Sequence, residues 1–295
     1  MSASVLAVRP RRSCLYTPGA NAKALAKARD LKADALIFDL EDAVAPDAKA
    51  EARTNVLAAI AEGGYGAREI VVRVNALSTP WGANDIEAVG GAKPNAVLAP
   101  KVNSADDVMA VDEAMSDAGL LKTTALWVMI ETPLSILNIK EIAAASKRTR
   151  LAGFVMGIND LAKDMRAKQT AARTPFLYAL AAAVTAARAY GLTAIDGVYN
   201  DIPNTDGFIE ACRQGLAFGF DGKTLIHPTQ IEACNTVFAP SAEEAEEARA
   251  IVAAFEAPEN AGKGVLKVNG KMTELLHLDQ ARRTLAIFDA VAAMG

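Results

Sequence analysis

The sequence predicts an α/β protein built as a (β/α)8 TIM barrel, and three observations carry that expectation. Short apolar runs ending in polar or glycine-containing turns recur between longer alanine-rich stretches, the pattern of repeated βα units. Runs such as Leu36-Ile37-Phe38 and Trp127-Val128-Met129-Ile130 are continuously apolar, as strands covered on both faces must be. The chain has 295 residues, which suits a barrel of about 250 residues plus a small appendage.

Taken in order, eight runs read as strands: Ser13 to Thr17, Ala35 to Leu40, Glu69 to Asn75, Ala96 to Val102, Thr124 to Ile130, Gly153 to Gly157, Thr193 to Gly197 and Lys223 to Ile226. Helices are expected over Ala22 to Asp30, Ala48 to Glu62, Ala105 to Gly119, Leu134 to Ser146, Pro175 to Tyr190, Asp206 to Phe218 and Ser241 to Glu256. Ser241 followed three residues later by Glu244 is a capping box, in which each side chain satisfies a backbone N–H at the helix start. The barrel is therefore expected over residues 1–256, with 257–295 as an appendage. Within that appendage, Pro258 to Gly264 has linker composition and Leu275 to Met294 reads as a helix.

With 35 acidic and 31 basic side chains, the surface lacks the concentrated positive field that nucleic acid or an anionic membrane requires. A small-molecule substrate is the expected partner. No stretch approaches the ~20 apolar residues of a membrane span or forms a signal peptide, so a cytoplasmic location is expected. Cys14, Cys212 and Cys234 lack CxxC spacing and read as buried thiols. His227 and His277 are the only histidines, which argues against a histidine-rich zinc site, and no GxGxxG or GxxxxGK[ST] phosphate cradle is present.

Barrel enzymes carry their chemistry at the C-terminal ends of the strands, so the polar residues closing each apolar run are the candidates. Glu131 and Asp160, on adjacent strand ends, are hard oxygen donors of the kind Mg²⁺ takes, with Mn²⁺ as a substitute; the competing reading is that each merely pairs with a nearby Lys or Arg. Arg73 lies within Ile70-Val71-Val72-Arg73-Val74, where a buried guanidinium needs an anionic partner. That partner is Asp39, Glu41 or a substrate oxygen that gains charge during reaction. Glu41 reads as support for the metal or for Arg73, and Asp42 as a loop residue. Arg12, Lys49, Arg53 and Lys101 are candidates to hold a diphosphate at the mouth, although a solvated surface role suits each one individually. Asp39 and Asn159 are further candidate substrate contacts.

Together these stretches resemble the citrate lyase beta-subunit and malyl-CoA lyase family of Mg²⁺-dependent carbon–carbon lyases. The matching segments are Arg12 to Gly19, Asp39 to Pro46, Arg73-Val74-Asn75, Pro100-Lys101-Val102, Ile130-Glu131-Thr132, Gly157 to Leu161, Asp196 to Tyr199 and Gly219 to Lys223, in order along nearly the whole chain. The resemblance implies that Glu131 and Asp160 hold Mg²⁺ and that Arg73 stabilises an enolate at the thioester carbonyl. It also implies that the C-terminal segment is a lid closing over a neighbouring protomer of a homotrimer or hexamer. In that segment Val268 to Glu274 aligns with the family's carboxylate-bearing stretch, and Glu274 stands where lyases commonly have Asp; Glu there is familiar in the malyl-CoA thioesterase branch. The activity implied first is cleavage of malyl-CoA or a related 3-hydroxy-dicarboxylic acyl-CoA to a 2-oxo acid and acetyl-CoA or propionyl-CoA. Hydrolysis of (3S)-malyl-CoA is the alternative, and a citrate lyase beta subunit acting on a carrier-bound thioester is a third.

Overall fold

A computed structural model describes residues 9–294. Eight parallel strands close a barrel: β1 (Ser13–Pro18), β2 (Ala35–Asp39), β3 (Glu69–Arg73), β4 (Ala96–Ala99), β5 (Ala125–Ile130), β6 (Leu151–Met156), β7 (Thr193–Asp196) and β8 (Gly222–Leu225). Each pairs with the next, and β8 returns to β1 through Ser13–Lys223, Cys14–Thr224 and Leu15–Leu225. The chain is thus a TIM barrel, with a strand in every run where one is expected.

Alternation along the strands divides the apolar core in two. Cys14, Ala35, Ile37, Val71, Ala96, Leu98, Trp127, Met129, Val155 and Ile195 form one buried cluster and fill the barrel interior. Their strand neighbours, including Leu36, Phe38, Val72, Val97, Val128 and Phe154, join helix residues such as Leu25, Val56, Ile86, Val108 and Leu180 in a second cluster between sheet and helices. Opposite faces of one strand therefore serve two cores, which is why these runs carry no polar alternation. Cys14 is a buried, free thiol in the interior cluster, as its apolar flanks suggest.

Helices Ala22–Lys27, Lys49–Glu62, Ala105–Asp117, Leu177–Tyr190 and Thr205–Phe218 match expectation to within a few residues. The helix expected over Leu134 to Ser146 is divided into Pro133–Leu137 and Ile139–Ala144. Asn138 sits at the break with φ −98° and ψ 10°, and its side-chain amide donates to the Asn103 carbonyl at 2.9 Å. Three further helices, Gly82–Gly90, Ile158–Asp164 and Ile231–Phe238, have no counterpart in the sequence reading. Each is nine residues or fewer, too short for the 3.6-residue period to stand out.

The compact barrel unit runs from Arg11 to Phe238. This corrects the expected division at 256: helix Ala242–Glu256 belongs with the residues from Ala239 onward, where it packs along helix Leu275–Met294. Arg249 stacks on Phe288 at 5.4 Å, and Arg282 pairs with Glu256 at 3.1 Å across these two helices. The expected Ser241–Glu244 capping box is present. Between the helices lies an unforeseen antiparallel hairpin, Val265–Val268 with Lys271–Glu274. Its two-residue turn, Asn269-Gly270, has φ of +48° and +81°, the left-handed pair that matches strand twist in a tight hairpin. No helix among the described residues is long and apolar enough to cross a membrane.

Candidate active site at the C-terminal mouth

Register sets the first half of the site. Asp39 and Arg73 are direct partners across β2 and β3. Arg73 Nε donates to Asp39 Oδ1 at 2.7 Å and Nη2 to Oδ2 at 2.6 Å. The same two oxygens accept the backbone N–H groups of Glu41 and Ala43 at 2.9 and 3.0 Å. Asp39 thereby fixes Arg73, and it also lines the cavity at this mouth. Burial opposes its charge, but Arg73 and these N–H donors hold its carboxyl below the usual value.

Arg73 keeps its third nitrogen for other acids. Nη1 lies 2.8 Å from Glu41 Oε2 and 3.4 Å from Asp42 Oδ2, and the guanidinium stacks over Tyr16 at 4.6 Å. Glu41 Oε2 is buried and makes no aligned hydrogen bond. Its desolvation outweighs the attraction of Arg73, and the carboxyl is pushed up to about 8.

The second half joins β4, β5 and β6. Glu131 follows β5, is 1% exposed, and accepts the Lys101 backbone N–H at 2.7 Å through Oε1. Asp160 lies in the first turn of helix Ile158–Asp164. Lys101 Nζ reaches both acids, 2.6 Å from Asp160 Oδ2 and 3.6 Å from Glu131 Oε1. Gly157 permits this approach, because a Cβ there would lie 2.7 Å from Glu131 Oε2. Burial raises Glu131 to about 7 despite Lys101. The less buried Asp160 goes the other way: its desolvation is outweighed by the hydrogen bond and charge of Lys101.

Both halves open on one cavity of about 290 Å³, lined by Asp39, Asp42, Arg73, Glu131, Asn159 and Asp160. Tyr16, Met129 and Thr224 also line it and were not singled out from sequence. Their parity could have found Tyr16 and Met129, since each stands two residues beyond an interior residue of its strand, Cys14 and Trp127. Asn159 forms a rim network, accepting from Gln169 at 2.8 Å and Asn200 at 2.7 Å.

Three of the four proposed diphosphate cations are engaged elsewhere. Arg12 precedes β1 at the opposite end of the barrel and grips Asp34 through Nε and Nη2, both at 2.8 Å, so its placement at the mouth is corrected. Lys49 is buried and donates to the carbonyls of Leu40 and Glu41 and to Asn75 Oδ1. Arg53 pairs with the fully buried Asp85 at 2.8 Å. Only Lys101 faces the cavity's acids. Glu274, in the separate C-terminal unit, donates its backbone N–H to His277 Nδ1 at 2.9 Å, closing the hairpin onto the last helix. His227 caps the turn after β8 through its Nδ1.

Among the described residues, five carboxylates, Asp39, Glu41, Asp42, Glu131 and Asp160, are ion-paired with Arg73 and Lys101 alone. That excess of negative charge suits a divalent cation. Among the described residues no group of three or more His, Cys, Asp or Glu is placed to ligate a metal. The donor set therefore fits an oxygen-seeking ion that takes two protein carboxylates and fills its remaining positions with water and substrate, as Mg²⁺ does. It does not fit a closed zinc site.

The chain is similar to proteins of known activity and structure. A (3S)-malyl-CoA thioesterase of Cereibacter sphaeroides (strain ATCC 17025) is 48% identical over 97% of both chains. The citrate lyase subunit beta of Escherichia coli K12 is 39% identical, covering 94% of this chain and 93% of its own. Among solved structures, protein CitE from Mycobacterium tuberculosis in complex with magnesium, acetoacetate and coenzyme A superimposes with a TM-score of 0.76 and 28% identity, over 96% of this chain and 99% of that one. The chain is an enzyme of the lyase or CoA-thioester hydrolase type. Residues 12–228, nearly the whole barrel unit, match the HpcH/HpaI aldolase/citrate lyase model, and the chain belongs to that family.

Proposed function

We propose that this enzyme hydrolyses a short 3-hydroxy-dicarboxylic acyl-CoA thioester of the (3S)-malyl-CoA kind, using Mg²⁺ held by Glu131 and Asp160. The observation that carries the reading is the single cavity in which a carboxylate pair and a fixed arginine face the same space. The sequence alone favoured carbon–carbon cleavage. Hydrolysis gains support from the 48% identity to a (3S)-malyl-CoA thioesterase over 97% of both chains.

When bound, the ion supplies Lewis acidity and a fixed point for a substrate carboxylate and hydroxyl. Arg73, immobilised by Asp39, turns its Nη1 edge from Glu41 and Asp42 to the thioester carbonyl oxygen, where negative charge grows as water adds to the carbon. The C–S bond then breaks and gives the free acid and the CoA thiol, the proton lost by water passing to the departing sulfur by way of a carboxylate. We assign that last role to Glu274 delivered from a neighbouring protomer of a homotrimer or hexamer, with Asn159 holding the substrate at the rim. Apolar Met129, Met156, Ile158 and Ile226 line the cavity beside these groups and limit water around the reacting carbon.

Cleavage of the carbon–carbon bond is the second reading, favoured by the 39% identity to a citrate lyase beta subunit. The same residues would then hold an enolate at Arg73 and an oxo acid at the carboxylate pair. Incubating the purified protein with malyl-CoA separates the two. Malate and free CoA in equal amounts establish hydrolysis; glyoxylate captured by a carbonyl trap, with acetyl-CoA, overturns it. Turnover of free CoA esters by the isolated chain also argues against a carrier-bound substrate.

A further inference from the structure

Among the described residues, Lys101 is the one cation within ion-pair distance of the carboxylates assigned to the metal, and its backbone is unusual. It follows β4 in a left-handed conformation, φ +56°, which a non-glycine residue adopts only when its surroundings compel it. The compulsion is visible: its N–H is held by Glu131 Oε1 at 2.7 Å, while its side chain turns back so that Nζ meets Asp160 at 2.6 Å and Glu131 at 3.6 Å. Backbone and side chain of one residue thus serve one pair of acids. The side chain is 37% exposed, so it can leave this pair for solvent with little repacking. Lys49, by contrast, is locked among the Leu40 and Glu41 carbonyls and Asn75 and reaches neither acid.

Resting on the metal reading above, we infer that Lys101 is a built-in counter-ion that competes with the divalent cation for Glu131 and Asp160 and so sets the metal affinity of the site. Its ammonium neutralises one of the two charges that would otherwise repel each other across the pair. A divalent cation must displace Nζ from the oxygens it binds, because two positive centres cannot share them at hydrogen-bond range. Even at an effective dielectric near 20, a unit positive charge within a few ångströms strongly opposes a divalent ion. A net tightening of about tenfold is therefore a conservative expectation for a neutral residue at 101. The backbone N–H to Glu131 is retained in any such variant, which separates the effect of the charge from that of the turn.

The test is direct titration of Mg²⁺ and Mn²⁺ into the metal-stripped wild type, Lys101→Met and Lys101→Arg, followed by calorimetry and by Mn²⁺ spin resonance. Lys101→Met is expected to bind about tenfold more tightly, and Lys101→Arg, which keeps the charge, within roughly threefold of wild type. Melting temperatures should agree in direction: Lys101→Met loses stability in chelator and gains more than wild type on adding Mg²⁺. Equal or weaker binding by a folded Lys101→Met overturns the inference and leaves Lys101 a structural ion pair. Should that variant fail to fold, amine acylation of the wild type read at residue 101 by mass spectrometry decides instead. Labelling relative to the exposed Lys271 should rise on adding Mg²⁺, and unchanged labelling overturns the inference. Absence of metal binding by wild type removes the metal reading itself, an outcome distinct from wild-type binding with no change in the variant.

Discussion

The two ends of the barrel both bury charge, but they satisfy it differently. At the end where the strands begin, Arg11 grips Glu69 through Nε and Nη2 at 2.6 and 2.9 Å, donates to Thr193 at 2.9 Å and stacks on Trp127 at 5.2 Å. Arg12 closes on Asp34 in the same two-pronged manner. Each acid there has its own arginine. At the mouth, five acids share Arg73 and Lys101, and two of them, Glu41 and Glu131, are pushed by burial to about 8 and about 7. Complete pairing marks an end that holds the barrel together; incomplete pairing marks the end that awaits a cation and a substrate.

The comparison breaks most visibly at Glu131. Glu131→Ala should lower kcat/KM by roughly a thousandfold, because a lost ligand removes metal-assisted charge stabilisation, while the melting temperature changes by no more than a few degrees. Steady-state kinetics beside circular-dichroism melting checks both halves, and a variant active at the parent rate in chelator would sink the metal assignment.

At the other end the pattern should invert. Arg12→Ala strands Asp34, which is 1% exposed, without its guanidinium. The expected cost is about 3 kcal/mol of stability, with kcat per folded molecule unchanged. Denaturant unfolding measures the first and active-site-normalised kinetics the second; lost turnover in a stable variant would refute the division between the two ends.

Arg73 sharpens the contrast because it belongs to both patterns, held by Asp39 yet open on the cavity. Arg73→Lys keeps the charge and loses the planar fork, so kcat should fall roughly thirtyfold with a smaller change in KM. A rise in KM alone would show that the contact is made equally in ground and transition states.

A pH-dependent effect is expected at Glu41. Its carboxyl titrates near 8 in the folded protein against an ordinary value of 4.5, so the folded state holds the proton more tightly than the unfolded chain. The associated stability is present in full below about pH 4.5 and is lost as pH rises towards 8. Glu41→Gln should flatten the stability profile across that window. An identical pH slope in wild type and variant, from urea unfolding at several pH values, would show that Glu41 is ionised beside Arg73 throughout.

The amino-acid sequence by itself determined the barrel and the acids at its mouth. Eight apolar runs are long enough to reveal strands buried on both faces, and the polar residue ending each run falls at the C-terminal rim by the geometry of the fold. Glu131, Asp160 and Arg73 were legible for that reason. Helices Gly82–Gly90, Ile158–Asp164 and Ile231–Phe238 were not, since nine residues or fewer give period analysis little to work on. Only the tertiary structure decided which charge meets which. Arg12, Lys49 and Arg53 read as free cations along the chain, yet Asp34, the Leu40 and Glu41 carbonyls and Asp85 claim them. Lys101 gained its place only when three strand ends came together. Chain patterning reports burial and period, which are local, whereas an ion pair depends on two side chains brought to within about 4 Å by elements distant in sequence.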